Sequence, residues 1–236
     1  MMRRNIVMLY FLLLCSAQWS VVLSQDTARS APTLRFLDQI EAYVRQDSAA
    51  PPAKGTILFI GSSIFRQWTH LQEHMAPLPV YNRAFGGSRT AEILLHMDDL
   101  VFPYAPRIIV YYCGSNDVNA NVPTADIANN FTLFVEKVHS RLPGTKVVYV
   151  SINRAPQKIV KWTVVDSVNA LVRDVCERSP ALTYIDVNPA LFDSTGAPRI
   201  ALYKDDKLHF KTDEAYLGFT AIIKPILTKL WNAAAQ

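Results

Sequence analysis

The sequence has little of what metal-binding proteins commonly use. It contains three cysteines and five histidines in 236 residues, and neither a CxxC nor an HExxH spacing occurs. Zinc sites are usually built from such spaced cysteines and histidines, and the five histidines do not cluster along the chain. The sequence therefore predicts no metal site.

Net charge and nucleotide-binding motifs are also scarce. The formal charge is +4, and it becomes +2 when Arg3 and Arg4 are set aside. So small and scattered a charge argues against a nucleic-acid partner. No GxGxxG fingerprint occurs, and the absence of GxSxG disfavours an ordinary α/β-hydrolase. We find neither an internal repeat nor a low-complexity linker.

The N-terminus has the pattern of a secretory signal peptide. Arg3 and Arg4 precede a long apolar stretch, and we expect cleavage after Ser24, where a soluble-looking sequence begins. The chain is then a signal peptide, residues 1–24, followed by a single domain, residues 25–236, that is secreted or periplasmic. Because no charge interrupts the apolar stretch, an uncleaved membrane anchor is the alternative.

Two cysteines, Cys113 and Cys176, remain beyond the predicted cleavage site. One disulfide is arithmetically possible. Both residues nevertheless lie in strongly apolar segments, where a reduced cysteine packs as a small hydrophobic side chain. We therefore predict two buried thiols.

Short apolar runs alternate with amphipathic segments along the chain. A first helix is predicted over residues 33–46. Five strand-like runs, rich in branched and aromatic residues, follow at 56–60, 80–85, 108–113, 146–152 and 182–187. Helical patterns occupy 64–73, 90–100, 124–141, 161–178 and 213–232. Apolar strands alternating with helices predict a three-layer α/β/α sandwich around a five-stranded parallel sheet. Ligands bind beyond the carboxyl ends of the strands in such folds.

Small polar residues follow the first three predicted strands. After the first strand, Gly61 permits a sharp turn, and Ser62 or Ser63 stands at the start of the next helix, where free N–H groups can stabilise an anion. Either serine could instead be a helix N-cap. The glycine pair that includes Gly87 could bring backbone N–H groups close to a ligand, or be an ordinary turn. Asn116 could offer its side-chain amide, or form an Asx turn.

An aspartate and a histidine stand close together before the last helix. In "DKLH", Asp206 and His209 are three residues apart, so the carboxylate can accept the Nδ1 proton and direct Nε2 outward. Asp205 is a competitor for this orienting role. A solvated loop of lysines and aspartates is the alternative interpretation.

Four blocks, "FIGSSI", "NRAFGG", "GSND" and "DKLH", occur in this order. Together they resemble the sequence blocks of the SGNH hydrolases, also called GDSL-type esterases and acylhydrolases, over about residues 56–227. The resemblance implies a flavodoxin-like SGNH hydrolase fold, with Ser63 as nucleophile, Asp206 as acid and His209 as base. It also implies an oxyanion hole formed by Ser63, Gly87 and Asn116.

The first block departs from the family pattern at one position. The usual Gly-Asp-Ser reads Gly-Ser-Ser, with Ser62 in place of the aspartate. That aspartate supports the turn in the family and is not the triad acid, so we expect activity to be retained. Ser63 directly precedes the apolar Ile64, as the pattern requires, and is favoured over Ser62 as the nucleophile.

The resemblance implies a serine esterase that hydrolyses short-chain acyl esters of a sugar, lipid or small alcohol through an acyl-enzyme, without a cofactor. A lysophospholipase-type acylhydrolase is an alternative, as is a non-catalytic flavodoxin-like binding domain. Because the base must be neutral, we expect hydrolysis to fall below about pH 6 to 7. Four aromatic residues could line the pocket but are expected to pack in the core or at its edge: Trp68, Phe85, Tyr112 and Trp162. The sequence does not predict an oligomeric state.

Overall fold

The fold is described from a computed structural model that covers residues 34–233. The predicted signal peptide, residues 1–24, lies outside the described residues, so its presence and cleavage stay predictions. Within the described part of the chain, none of the helices combines the length and the apolar character that crossing a membrane requires.

Five parallel strands form one sheet in the order β2-β1-β3-β4-β5. All four strand pairings are parallel, and β1 lies between β2 and β3. The strands are β1 (Ile57–Gly61), β2 (Val80–Asn82), β3 (Ile108–Tyr112), β4 (Lys146–Val150) and β5 (Leu182–Ile185). The predicted three-layer α/β/α architecture with a five-stranded parallel sheet is confirmed.

Helices cover both faces of the sheet. Successive residues of a strand point to opposite faces, so Leu58 and Ile60 of β1 pack in one core, while Ile57 and Phe59 pack in the other. The helices are α1 (Leu37–Ala49), α2 (Ser63–Arg66), α3 (Leu71–Met75), α4 (Thr90–Leu95), α5 (Met97–Leu100), α6 (Ser115–Asn119), α7 (Thr124–Arg141), α8 (Trp162–Glu177) and α9 (Asp213–Ala233). Burial on both faces explains why the strands read as continuous apolar runs.

Several element boundaries differ from the predictions. The helical pattern at 64–73 is divided into α2 and α3, and the pattern at 90–100 is divided into α4 and α5. The second strand ends at Asn82, three residues before the predicted end. The "GSND" stretch begins a short helix, α6, where an Asx turn was the alternative.

Helix α1 packs against the loop that follows β2. The Tyr43 hydroxyl donates to the Ala84 carbonyl at 2.8 Å, and the Gly86 N–H donates to the Gln39 side chain at 3.0 Å. Arg83, which is buried, forms an ion pair with Asp47 of α1. Three contacts thus fasten the loop that carries Gly87 to a helix distant in sequence.

The burial of the cysteine and aromatic side chains in the structure tests the predictions made for them. Cys113 and Cys176 are both buried free thiols, as expected. Trp68, Phe85 and Tyr112 are buried in the two cores. Trp162 is half-buried, donates its indole N–H to the Ala155 carbonyl and packs edge-on against Phe192. Trp68, Phe85 and Tyr112 therefore pack in the core, as expected.

Candidate active site

The strand-to-helix turn after β1 presents Ser63 at the start of α2. Gly61 ends the strand with a φ of 149°, and a Cβ at this position would lie only 1.9 Å from the Tyr112 carbonyl oxygen. Only glycine allows this close approach. The Ser62 N–H then donates to the same carbonyl at 3.0 Å. The turn is therefore fixed by backbone contacts to β3, and Ser63 follows it.

The two candidate serines have different surroundings. Ser62 is buried and stands at the N-cap position of α2, but its side chain makes no capping hydrogen bond to the helix. Ser63 is half-buried, and its Oγ lies 2.9 Å from Nε2 of His209. Of the two hydroxyls, only that of Ser63 is paired with an imidazole.

Asp206 holds His209 through both carboxylate oxygens. Its Oδ2 lies 2.6 Å from Nδ1 of His209, and its Oδ1 accepts the backbone N–H groups of Leu208 and His209, each at 2.9 Å. Partial burial acts to raise the pKa of Asp206, but these hydrogen bonds from His209 and Leu208 outweigh it and lower the pKa to about 2. The carboxylate is thus ionised at neutral pH, and Asp206 takes the place for which Asp205 was the competitor.

Gly87 lies in the loop after β2 with a φ of 83°, a conformation that favours glycine. Its carbonyl accepts a hydrogen bond from Arg35 at 3.0 Å. Among the described residues, neither the Gly87 N–H nor the Ser63 N–H donates to a backbone carbonyl. Both N–H groups can therefore serve an acceptor from outside the chain.

Asn116 is tied to the same region through Ser88. Its Nδ2 donates to the Ser88 carbonyl at 2.9 Å, and the Ser88 hydroxyl donates to the Gly61 carbonyl at 3.1 Å. An amide nitrogen carries two hydrogens, so one remains for a ligand. Ser88 thus joins the end of β1 and helix α6 to the glycine loop. Sequence reasoning missed it, although its place directly after the glycine pair was a signal.

Two histidines and an aspartate form a second polar cluster. Ligand atoms of His70, His74 and Asp213 lie within 4.8 Å of one another, so the statement that the histidines do not cluster is wrong here. Trp68 donates its indole N–H to Nδ1 of His74 at 2.9 Å, which assigns the proton of the neutral ring to Nε2. His74 then has no free lone pair for a cation, and the cluster is a hydrogen-bonded one. The HxxxH spacing at positions 70 and 74 was the available signal.

A comparison with known families agrees with this geometry. The profile of the GDSL-like lipase/acylhydrolase family matches residues 60–213, which include Ser63, Gly87, Asn116, Asp206 and His209. The chain belongs to this family. Membership makes it a hydrolase that acts on ester bonds, and the resemblance found in the sequence is confirmed. No curated protein matches the chain.

Solved structures share the fold. A GDSL-like lipase from Bacteroides thetaiotaomicron has a TM-score of 0.69 and 21% identity, over 80% of this chain and 97% of that one. A lipase/acylhydrolase from Enterococcus faecalis has a TM-score of 0.61 and 20% identity, over 73% of this chain and 95% of that one. A family 3 carbohydrate esterase from Clostridium thermocellum has a TM-score of 0.60 and 13% identity, over 77% of this chain and 100% of that one. At these identities the likeness concerns the fold alone.

Proposed function

We propose that the protein is a serine esterase that hydrolyses short-chain acyl esters through an acyl-enzyme, with Ser63 as the nucleophile. The observation that carries this proposal is the chain of contacts from Ser63 Oγ to His209 Nε2, 2.9 Å, and from His209 Nδ1 to Asp206, 2.6 Å. A hydroxyl, an imidazole and a carboxylate in this order are the parts of a serine hydrolase triad.

The first step is acylation of Ser63. A serine hydroxyl is a weak nucleophile, so Nε2 of His209 takes its proton as Oγ attacks the acyl carbonyl carbon. Asp206 keeps the ring in the tautomer with the proton on Nδ1 and stabilises the imidazolium that forms. His209 then gives the proton to the leaving alcohol, and the acyl group stays on Ser63.

Negative charge gathers on the carbonyl oxygen during this attack. The backbone N–H groups of Ser63 and Gly87, with the remaining Nδ2 hydrogen of Asn116, are the donors for it. Water next attacks the acyl-enzyme, again with His209 as the base, which releases the carboxylic acid and restores Ser63. None of these steps requires a cofactor.

The proposed substrate is an acyl ester whose alcohol part is a sugar, a lipid or a small alcohol. The fold is shared with a protein named as a carbohydrate esterase and with others named as lipases, which supports an acyl ester of a sugar or a lipid as the substrate. A panel of p-nitrophenyl esters of rising acyl length, acetylated sugars and lysophospholipids decides among them. Preference for long acyl chains or for lysophospholipids would favour the lysophospholipase alternative.

The nucleophile is tested by two adjacent substitutions. Ser63→Ala is expected to reduce turnover of p-nitrophenyl acetate on the order of a thousandfold or more, because the attacking oxygen is lost. Ser62→Ala is the matched control and is expected to keep most of the rate, since the Ser62 side chain is buried. A fluorophosphonate probe should label the parent and Ser62→Ala but not Ser63→Ala. Parental turnover in Ser63→Ala would show that the nucleophile is assigned wrongly.

A further inference from the structure

A buried carboxylate beside Asn116 has no part in the chemistry described so far. Asp117 is the third residue of α6, and it is 1% exposed. Aspartates are almost never fully buried unless a partner compensates for the loss of water. The ion pairs within residues 34–233 do not include Asp117. The compensation must therefore come from hydrogen bonds.

Three hydrogen bonds from Thr90 hold this carboxylate. The Thr90 N–H donates to both oxygens of Asp117, each at 3.1 Å, and the Thr90 hydroxyl donates to Oδ1 at 2.7 Å. The same hydroxyl accepts a side-chain N–H of Asn130 in α7 at 2.9 Å. Thr90 is the first residue of α4 and is also buried. The carboxylate thus joins the start of α4 to α6 inside the protein.

Asn116 and Asp117 hold the same loop at two points. Asn116 donates to the Ser88 carbonyl, and Asp117 accepts from Thr90, two residues further on. One contact alone would let the loop turn about it, whereas two contacts fix both its distance and its orientation relative to α6. The segment that follows Gly87 is therefore docked on α6 through adjacent residues of that helix.

The position of the Gly87 N–H depends on such anchoring. Gly87 directly precedes Ser88, its φ is 83°, and a glycine has more accessible backbone conformations than other residues. The Gly87 N–H and Nδ2 of Asn116 are proposed donors to the same oxygen, so both should be held within about 0.5 Å of the productive geometry. The buried contact with Thr90 supplies part of this restraint.

We propose that Asp117 is a positioning residue for ester hydrolysis, which holds the loop of Gly87 through Thr90 and so sets the distance of the Gly87 N–H from the Asn116 amide. The inference rests on the proposed function, in which these two groups stabilise the oxyanion. Asp117 acts through them and does not itself contact the substrate.

Loss of the carboxylate should lower kcat and leave KM nearly unchanged, because the displaced donors act on the transition state. Asp117→Ala should lower kcat for p-nitrophenyl acetate roughly tenfold, a part of the hundredfold that a displacement of about 1 Å can cost. Thr90→Val, which removes only the hydroxyl, should have a smaller effect in the same direction. Thr90→Ser keeps both donors to Asp117 and should keep most of the parental kcat.

Thr145→Val is the matched control for Thr90→Val. Thr145 lies directly before β4, at the opposite end of the sheet, and is 4% exposed. Its hydroxyl donates to the Pro106 carbonyl at 2.7 Å, so the control also loses a buried hydroxyl with a hydrogen bond of the same length. Both variants should unfold at lower urea concentration than the parent, but only Thr90→Val should lower kcat. Equal losses of kcat in the two variants would overturn the inference.

A double-mutant cycle tests whether Asp117 acts through the oxyanion donors. If it does, its replacement should cost less once one of these donors is already absent. In an Asn116→Ala background, Asp117→Ala should lower kcat by less than about threefold further, because residues that share one network are not additive. A loss of kcat by the same factor in both backgrounds would show that Asp117 acts elsewhere, which would overturn the inference.

Crystal structures of the parent and of Asp117→Ala separate the inference from the proposed function, because they need no turnover. The distance between the Gly87 nitrogen and Nδ2 of Asn116 should differ between the two by more than about 0.5 Å. A parent that hydrolyses no ester would contradict the proposed function, while this distance would still decide the inference. An unchanged distance would overturn it. If Asp117→Ala does not fold, Thr90→Val takes its place, and a parental kcat or an unchanged distance in that variant would overturn the inference.

Discussion

Two histidine–aspartate pairs of this protein are in hydrogen-bonding contact through the same atoms. Nδ1 of His209 lies 2.6 Å from Oδ2 of Asp206, and Nδ1 of His70 lies 2.5 Å from Oδ2 of Asp213. Considered alone, either pair could orient an imidazole for proton transfer. The distance between ring and carboxylate therefore does not distinguish a catalytic pair from another one.

The surroundings of the two pairs do distinguish them. His209 is 21% exposed and has the Ser63 hydroxyl on its other nitrogen, whereas His70 is 52% exposed. Asp206 also accepts two backbone N–H groups, which fix its carboxylate. A hydroxyl just beyond the end of a buried strand and a carboxylate held by its own loop make the first pair a candidate site.

The largest effect on the rate is expected from replacing the histidine of the Asp206–His209 pair, and the same substitution in the His70–Asp213 pair is the comparison. His209→Gln should lower kcat for p-nitrophenyl acetate on the order of a thousandfold or more, because the general base is lost. His70→Gln is the matched variant and should retain most of the parental kcat. Single-turnover rates for both variants provide the measurement. If His209→Gln kept more than about a tenth of the parental rate, the assignment of the base would fail.

A smaller effect on the rate is expected from removing the Asn116 side-chain amide, a donor near the first pair that the second pair lacks. Asn116→Ala should lower kcat about a hundredfold with little change in KM, since one of the proposed oxyanion donors is removed. Asn119→Ala is the control on the same helix, α6, because Asn119 is exposed. Steady-state kinetics with a short-chain ester compares the two. Equal rates for the two variants would mean that Asn116 serves only to hold Ser88.

The sequence predicted best where one local pattern decides the structure. The runs that form β1 and β3 are apolar at every position because both faces are covered, and the blocks "FIGSSI" and "GSND" lie where these two strands end. The candidate triad residues followed from the four motif blocks through the family resemblance. Spacing alone left Asp205 and Asp206 as alternatives, because only the folded loop decides which carboxylate meets the ring.

Long-range packing explains what the sequence did not predict. The pattern at 64–73 is periodic, yet the helix is interrupted after Arg66, and Trp68 is buried in the core with Phe59 and Tyr216. Tertiary packing of one large side chain here overrides local helix preference. The burial of Lys158 and the contact of His70 with Asp213 likewise depend on segments distant along the chain. The hydrophobic periodicity of a single segment does not predict such contacts.

The smallest expected effect is a change in the free energy of unfolding when the charge of Asp206 is removed. The pKa of Asp206 is lowered to about 2 in the folded protein, so its ionised form stabilises the fold above the ordinary range near 4, and this contribution is lost as pH falls toward 2. Because the side chain is 47% exposed, the contribution should be at most about 1 kcal/mol.

Asp206→Asn removes the charge together with the oxygen that faces Nδ1 of His209, while the asparagine carbonyl can still accept the backbone N–H groups of Leu208 and His209. Urea unfolding at pH 7 should show a slightly lower free energy of unfolding for this variant, and the difference from the parent should shrink at pH 3. Asp205→Asn, which removes a neighbouring exposed carboxylate, is the control and should show the smaller change. A difference of the same size at both pH values would mean that the Asp206 side chain stabilises the loop through its shape, not its charge.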